Sequence, residues 1–317
     1  MSTQQQDQPQ VQTDESVADD SSSIGGCSTD ESQASLRSSI LDYRRENGRT
    51  YHSMSDGKYA FPNDEQEQKR LDINDRTTAK RVLDLGTGTG IWALDYADAH
   101  PEATVFGVDL SPIQPGYVPP NCIFEIDDLE KEWTWTKPFD FIFARNMNGS
   151  FANWEGVLAQ AYGHLEPGGY LEIQDSLWPP VCDDDTFKED SAFYRWSRLL
   201  VEACNKIGRP VDKTGELPMK MEAAGFEDIH TTRIRFPASP WPKDKKLKEL
   251  GIWNQEQLLP GLEALTLGLF TRVLDWSKEE TIVFCANARK DLKDTKAHAY
   301  WNGYVMYGRK PLKVDEE

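Results

Sequence analysis

The sequence predicts an α/β fold, a doubly wound and mostly parallel sheet with helices on both faces. Three observations carry this. Short apolar runs alternate with helical segments from Arg81 to Gln174. The first run leads directly into glycines at alternate positions, VLDLGTGTG from Val82 to Gly90. The second run ends on an acid, Asp109. Short apolar strands need cover on both faces, and right-handed crossovers supply it.

The elements follow in order. Residues 81–85 read as the first strand and 90–99 as a helix stopped by Pro101. Residues 103–109, 122–125 and 139–144 read as strands. Residues 151–165 read as a helix ended by Pro167-Gly168-Gly169, and 170–174 as a strand. After Asp175 the pattern loosens. Residues 187–206 are helical, with Phe193, Trp196, Leu199, Leu200 and Ala203 at core-like spacing. A short helix, 215–224, is closed by Gly225, and 226–236 read as a strand. Residues 237–275, rich in Trp, Pro and Leu, predict a helical lid insertion. Residues 278–293 predict a helix and 300–309 a last strand.

Upstream the composition differs. Residues 1–38 are acidic, rich in Ser and Gln and free of aromatics, so they cannot offset their ordering entropy and are predicted to be disordered. Residues 39–80 carry Tyr43, Tyr51, His52, Tyr59 and Phe61 among many charges. They predict an N-terminal helical arm covering the active site of a main domain at 81–312.

The chain has 317 residues, is 38% hydrophobic and carries a formal net charge of −18. That charge argues against duplex nucleic acid as a direct ligand. Lys243, Lys245, Lys246 and Lys248 read as a solvated helix start. No run approaches the roughly eighteen apolar residues of a membrane span. The five cysteines are scattered and read as reduced thiols in an intracellular protein. No metal constellation is visible, and Asp183-Asp184-Asp185 reads as a solvated run.

A glycine turn between the first strand and its helix serves two ligand classes. Dinucleotide sites use G-x-G-x-x-G to bring a pyrophosphate onto the helix N-terminus. Here Gly86, Gly88 and Gly90 are spaced G-x-G-x-G, and Ile91 stands where the third dinucleotide glycine would fall. The spacing, with Asp84 before it, fits S-adenosylmethionine better than NAD. The glycines remove β-carbons that would block the ligand's approach. Asp84 biases the field toward its ammonium group, and Asp109 suits its ribose hydroxyls. Thr87 and Leu110 complete the two strand ends. Asp127, ahead of its neighbour Asp128, suits an adenine amine. Arg145 opens the RNMNGS segment at the fourth strand's end, where open α/β sheets bind ligands.

Methyl transfer needs orientation and exclusion of water more than acid–base groups. Tyr43, Tyr51, Tyr59 and Trp92 are candidates for packing against a sulfonium, with Trp92 favoured as ordinary core. His52 is the candidate base or substrate contact, ahead of His230, and Arg145 can orient an acidic acceptor. Asp175 lies at the mouth of the fifth strand. Trp178, Trp196, Trp241 and Trp253, with the Leu-rich 258–270 segment, suggest a hydrophobic acceptor pocket under the lid.

VLDLGTGTGIWALDYAD, GVDLSPIQPGYVPPNCIFEIDD, FDFIFARNMNGSFANW and HLEPGGYLEIQD, with the upstream ENGRTYHSMSDGKYAFPNDEQEQKRLD, resemble the fungal LaeA-like methyltransferases, a class I group dependent on S-adenosylmethionine. The resemblance is strong over about 39–183. It implies a seven-stranded Rossmann-like sheet whose antiparallel last strand is 300–309. It matches the glycine loop to Asp84–Gly90, the ribose carboxylate to Asp109 and the adenine contact to Asp127 and its neighbours. Two departures stand out. Phe143 occupies a position where the family often has His, and Asn74, Asp75 and Arg76 replace a family His pair. The resemblance implies a methyltransferase of fungal secondary metabolism acting on a hydrophobic small molecule. Its alternative is a regulator that acts with a velvet-type protein partner in the nucleus rather than the cytoplasm.

Overall fold

The structure is a computed structural model. It describes residues 79–313, together with the backbone of two short strands upstream, β1 (Arg44–Glu46) and β2 (Arg49–Tyr51). These pair antiparallel, with Glu46 opposite Arg49. A helix is expected there, and these six residues are strand instead. The connecting pair is Asn47-Gly48. Asn-Gly is the pair that two-residue hairpin turns favour most, because both positions need positive φ. The tail at 1–38 and the rest of the arm before Ala79 lie outside the described residues.

The main domain begins with β3 (Arg81–Leu85), α1 (Ile91–Ala99), β4 (Thr104–Asp109), β5 (Cys122–Ile126) and β6 (Phe139–Arg145). Then come α2 (Trp154–His164), β7 (Leu165–Val181), α3 (Ala192–Lys206), α4 (Leu217–Ala223) and β8 (Glu227–Pro237). The long α5 (Lys245–Val273), α6 (Lys278–Leu292) and β9 (Tyr300–Arg309) complete it. Seven strands form one sheet in the order β5-β4-β3-β6-β7-β9-β8, and β9 runs antiparallel to both its neighbours. The strand order reverses between β3 and β6, which opens a crevice at their carboxyl ends.

Each face of the sheet has its own core. Val82, Val105, Phe141 and Phe143 pack against Ala93 and Ala97 of α1. Leu83, Leu85, Ile142 and Ile173 pack on the other side against Val157 and Leu158 of α2 and Leu217 and Met221 of α4. The start of α2 is set by Asn153, whose side chain accepts from Gly156 N–H. The helix therefore begins three residues later than the apolar pattern suggests.

β7 is far longer than the expected 170–174. Its outer half stays paired with β9, from Asp175 opposite Tyr304 to Val181 opposite Tyr300. The pairing carries the sheet past the polar residues that end the apolar run. On this extension α3, α5 and α6 build a third core around Phe193, Trp196, Leu262, Phe270, Phe284 and Trp301. Trp196 is fully buried and donates from Nε1 to Thr266 Oγ1 at 2.7 Å. Trp178 lies between Trp196 and Trp301, with ring centroids 5.8 and 5.2 Å away. Trp241 is buried and donates to Ala299 O. Trp178 and Trp196 are thus part of this third core, and Trp241 is tied to Ala299, another of its members. The lysine cluster opens α5, where Asp244 accepts from the N–H groups of Lys246 and Leu247.

Leu262→Ala should lower unfolding stability by about 2–5 kcal/mol, because a fully buried leucine leaves a cavity. Urea denaturation with an unchanged slope checks this.

Candidate cofactor site

The glycine turn after β3 is left-handed at all three glycines, with φ of 65° at Gly86, 57° at Gly88 and 78° at Gly90. Side chains at Gly86 and Gly90 would strike protein. A Cβ on Gly86 would overlap the Met147 sulfur, and one on Gly90 the Phe124 ring. Gly88 differs. A Cβ there meets no heavy atom within 4 Å, so its bare backbone faces open space. This is a cradle that a side chain would fill.

The turn is stitched to β4. Thr87 N–H donates to Val108 O at 2.9 Å, and Gly88 N–H donates to Asp109 Oδ2 at 2.8 Å. Asp109 Oδ1 accepts from Ser111 N–H at 3.0 Å, so both oxygens are oriented and each keeps a lone pair. Gln114 Nε2 donates to Gly88 O at 2.6 Å and to Ser111 O at 3.0 Å, closing the clasp from outside. Sequence reasoning missed Gln114, Met147 and Phe124. The signal for Gln114 was its place in the SPIQP segment that follows the acid.

Asp84 lies beneath the turn, only 3% exposed, and accepts from Thr87 Oγ1 at 2.6 Å. Burial pushes its pKa up to about 7, the Thr87 hydrogen bond and the Arg145 charge oppose this, and Asp109 adds to it. A cation arriving above the turn would favour the charged form. Arg145 ends β6, opposite Gln174 of β7, and its guanidinium carbon lies 5.9 Å from the Phe143 ring centroid.

Both acids expected at the adenine already accept from backbone, Asp127 Oδ1 from Asp128 N–H at 2.7 Å. Asp127 N–H donates to Asp109 O at 3.1 Å, which seats it beside the ribose candidate. Asp128 is spent on its own turn, accepting from Glu130 N–H at 3.1 Å with Lys131 nearby at 3.7 Å. Leu110 and Ile126, 70% and 51% exposed, end adjacent strands there as bare apolar surface. Exposed apolar groups at such an edge suit the faces of a planar base.

Tyr51 falls in β2, where only backbone is described, and Tyr43, His52 and Tyr59 lie outside the described residues. Trp92 stacks on Phe143 at 4.0 Å and packs beside Tyr96, as core. His230 stacks on Tyr307 at 5.0 Å in β8. β8 is three strands from β6 in the sheet, roughly 14 Å at normal strand spacing. His230 therefore stands apart from the glycine turn.

Asp183-Asp184-Asp185 is not simply solvated. Asp183 accepts from Tyr300 OH at 2.6 Å and from Arg235 at 2.8 Å. Asp184 accepts from Cys182 Sγ and Thr186 Oγ1 and meets His298 Nδ1 at 2.5 Å. These donors hold the Asp184 carboxyl well below the usual range despite its partial burial. The run ties the tip of β7 to the start of β9. Among the described residues no cluster fits a metal ion, and no helix is long and apolar enough to cross a membrane.

Asp175 is also buried, 5% exposed, within β7 and one residue past the strand's last pair with β6. Oδ1 accepts from Ser176 N–H at 2.8 Å, and Oδ2 has no hydrogen-bond partner. Burial pushes its pKa up to about 7, against the pull of the N–H groups of Ser176, Met147 and Asn148.

Residues 49–231 match a family described as a methyltransferase domain. Methyltransferase pytC of Aspergillus terreus is 42% identical over 300 residues, 89% of this chain and 93% of that protein. Secondary metabolism regulator LAE1 of Cochliobolus heterostrophus is 37% identical, over 84% of this chain and 94% of that protein. Protein-methionine methyltransferase laeA of Emericella nidulans is 33% identical, over 86% of this chain and 77% of that protein.

A raised pKa means that the folded state favours neutral Asp175. Its stabilising share is full below about pH 4 and is lost as pH climbs toward about 7. Asp175→Asn should therefore gain on the parent protein between pH 4 and pH 8, by roughly 1–3 kcal/mol in denaturant titrations at each pH.

Proposed function

The chain belongs to the LaeA-like methyltransferase family, and on that premise we propose that it methylates a hydrophobic small molecule of fungal secondary metabolism with S-adenosylmethionine as donor. One observation carries the cofactor assignment. The backbone at Gly88 faces open space between a buried acid, Asp84, and an oriented carboxylate, Asp109.

The residues fit the donor group by group. Asp84, through the Thr87 turn, supplies negative potential for the ammonium group. Asp109 offers lone pairs to the ribose hydroxyls, Asp127 an acceptor for the adenine amine, and Leu110 with Ile126 apolar surface for the ring. Bound there, the donor would supply a sulfonium methyl for an X–C bond, with the electron pair of the broken S–C bond kept by sulfur and the proton of X passing to the candidate base His52 or to solvent. The protein's share is position and dryness. Arg145, at the end of β6, is placed to orient an acidic group on the acceptor. His52 and the arm tyrosines Tyr51 and Tyr59 are the proposed cover and candidate base. Residues 39–80 are the proposed covering arm, and 237–275 the proposed lid region.

A second reading is favoured by the relatives named as regulators of secondary metabolism. In it the chain acts on gene expression through a velvet-type protein partner, in the nucleus; the enzyme reading is consistent with the cytoplasm. Incubation with methyl-labelled S-adenosylmethionine and a fungal extract separates the two. Label in a small-molecule fraction supports the enzyme of a biosynthetic pathway. Label in protein alone, or capture of a protein partner with no labelled metabolite, supports the regulator.

Gly88→Val should abolish binding of S-adenosylhomocysteine in calorimetry while circular dichroism shows a retained fold. Asp109→Ala should weaken the same binding about 10–100-fold, the usual cost of losing hydrogen bonds to a charged group. Unchanged affinity in both variants would put the site elsewhere.

A further inference from the structure

Immediately beyond β6 the backbone turns left-handed at a residue with a side chain. Asn146 takes φ 56°, a left-handed conformation that glycine adopts with less strain. The same chain uses glycine at Gly86, Gly88, Gly90 and Gly149, where φ is also positive. Four described non-glycine residues share this conformation: Asn146, Asp185, Asp228 and Asp275. Asn146 is the one at the carboxyl end of a central parallel strand, in the crevice that faces the glycine turn.

Every neighbour of Asn146 in this loop is tied down. Its own N–H donates to Gln174 O on β7 at 2.9 Å. Met147 is buried with its sulfur filling the space at Gly86, which couples the loop to the cofactor turn. Asn148 donates to Ser176 O and accepts from Thr214 Oγ1 at 2.8 Å. Ser150 N–H donates to Met147 O, and Ser150 O accepts from Arg209, which also holds Glu130 at 2.7 Å. The Asn146 side chain is exposed and makes no hydrogen bond to any described residue. A rigid platform thus presents a single unpaired carboxamide, one residue beyond Arg145 and one before the wedge under Gly86.

We propose that the Asn146 carboxamide faces the transferring methyl and holds the acceptor's O–H or N–H nucleophile by a hydrogen bond to its Oδ1. The inference rests on the cofactor reading above and names a contact on the acceptor side of the same site. It accounts for asparagine where glycine would be less strained: the strain is tolerated because the side chain has work in the crevice. It also gives the acceptor a required feature, a hydrogen on the attacking atom.

Two identified probes test this without the acceptor. S-adenosylhomocysteine lacks the methyl, and sinefungin carries a C–NH3+ group where the sulfonium methyl would stand. Asn146→Gly removes the carboxamide and suits the backbone, so its thermal midpoint should equal or exceed that of the parent. In calorimetry the variant should bind S-adenosylhomocysteine as the parent does, within about twofold, and sinefungin about tenfold more weakly. Asn146→Asp, also tolerant of this backbone, should keep the first affinity and raise the second. An unchanged ratio of the two affinities in both variants would overturn the proposal, as would an equal loss of both ligands. If the parent protein binds neither ligand, the cofactor reading itself fails, a result distinct from a changed ratio.

Discussion

The site depends on one constraint: the backbone after β3 must turn left-handed at Gly86, Gly88 and Gly90 while staying bonded to β4. Without the Thr87–Val108 hydrogen bond and the Gly88–Asp109 contact the turn would have no fixed height over the sheet. The three glycines serve unlike ends. Gly86 makes room for Met147 and Gly90 for Phe124, so two of them solve packing problems. Gly88 alone leaves space open. A pattern that reads in sequence as one motif is, physically, two packing solutions and one open space.

Of three buried acids, Asp84, Glu172 and Asp175, the first and last flank this crevice on opposite faces of the sheet. Parallel register sets Asp84 level with Phe143 and Phe143 level with Glu172, whereas Asp175 is an odd number of residues further along. Side chains alternate along a strand, so the two carboxyls point to different sides. Burial is the main cause of the raised pKa at both. Asp84 lies near Arg145 and beneath the open turn, which suits it to a cationic ligand group. Asp175 stands under the 146–149 loop and helps to orient its backbone.

The third core explains the length of β7 and the density of tryptophan beyond Asp175. A sheet covered by α1, α2 and α4 is already a complete layer structure. The paired tips of β7, β8 and β9 project past it and are covered by α3, α5 and α6. Asp183 and Asp184 pin that projection through Arg235, Tyr300 and His298. The wall beside the crevice is therefore braced by packed aromatic rings and by ion pairs at its edge.

Much of this was legible in the chain itself. The alternation of strands and helices, the glycine turn, Asp84 beneath it and Asp109 at the end of β4 all follow from local pattern, because period and turn chemistry are properties of neighbouring residues. The hairpin at β1 and β2 was legible too, in Asn47-Gly48, but helical propensity obscured it. Other features were decided only in three dimensions. The reach of β7 depends on β9, more than a hundred residues away. The clasp of Gln114 on Gly88, the wedge of Met147 under Gly86 and the separate duties of Asp127 and Asp128 depend on which segments the sheet order makes adjacent. Sequence by itself determined the kind of turn and the acids around it; tertiary structure decided which face is open and which side chains are already engaged, because burial and pairing are set by contacts distant in the chain.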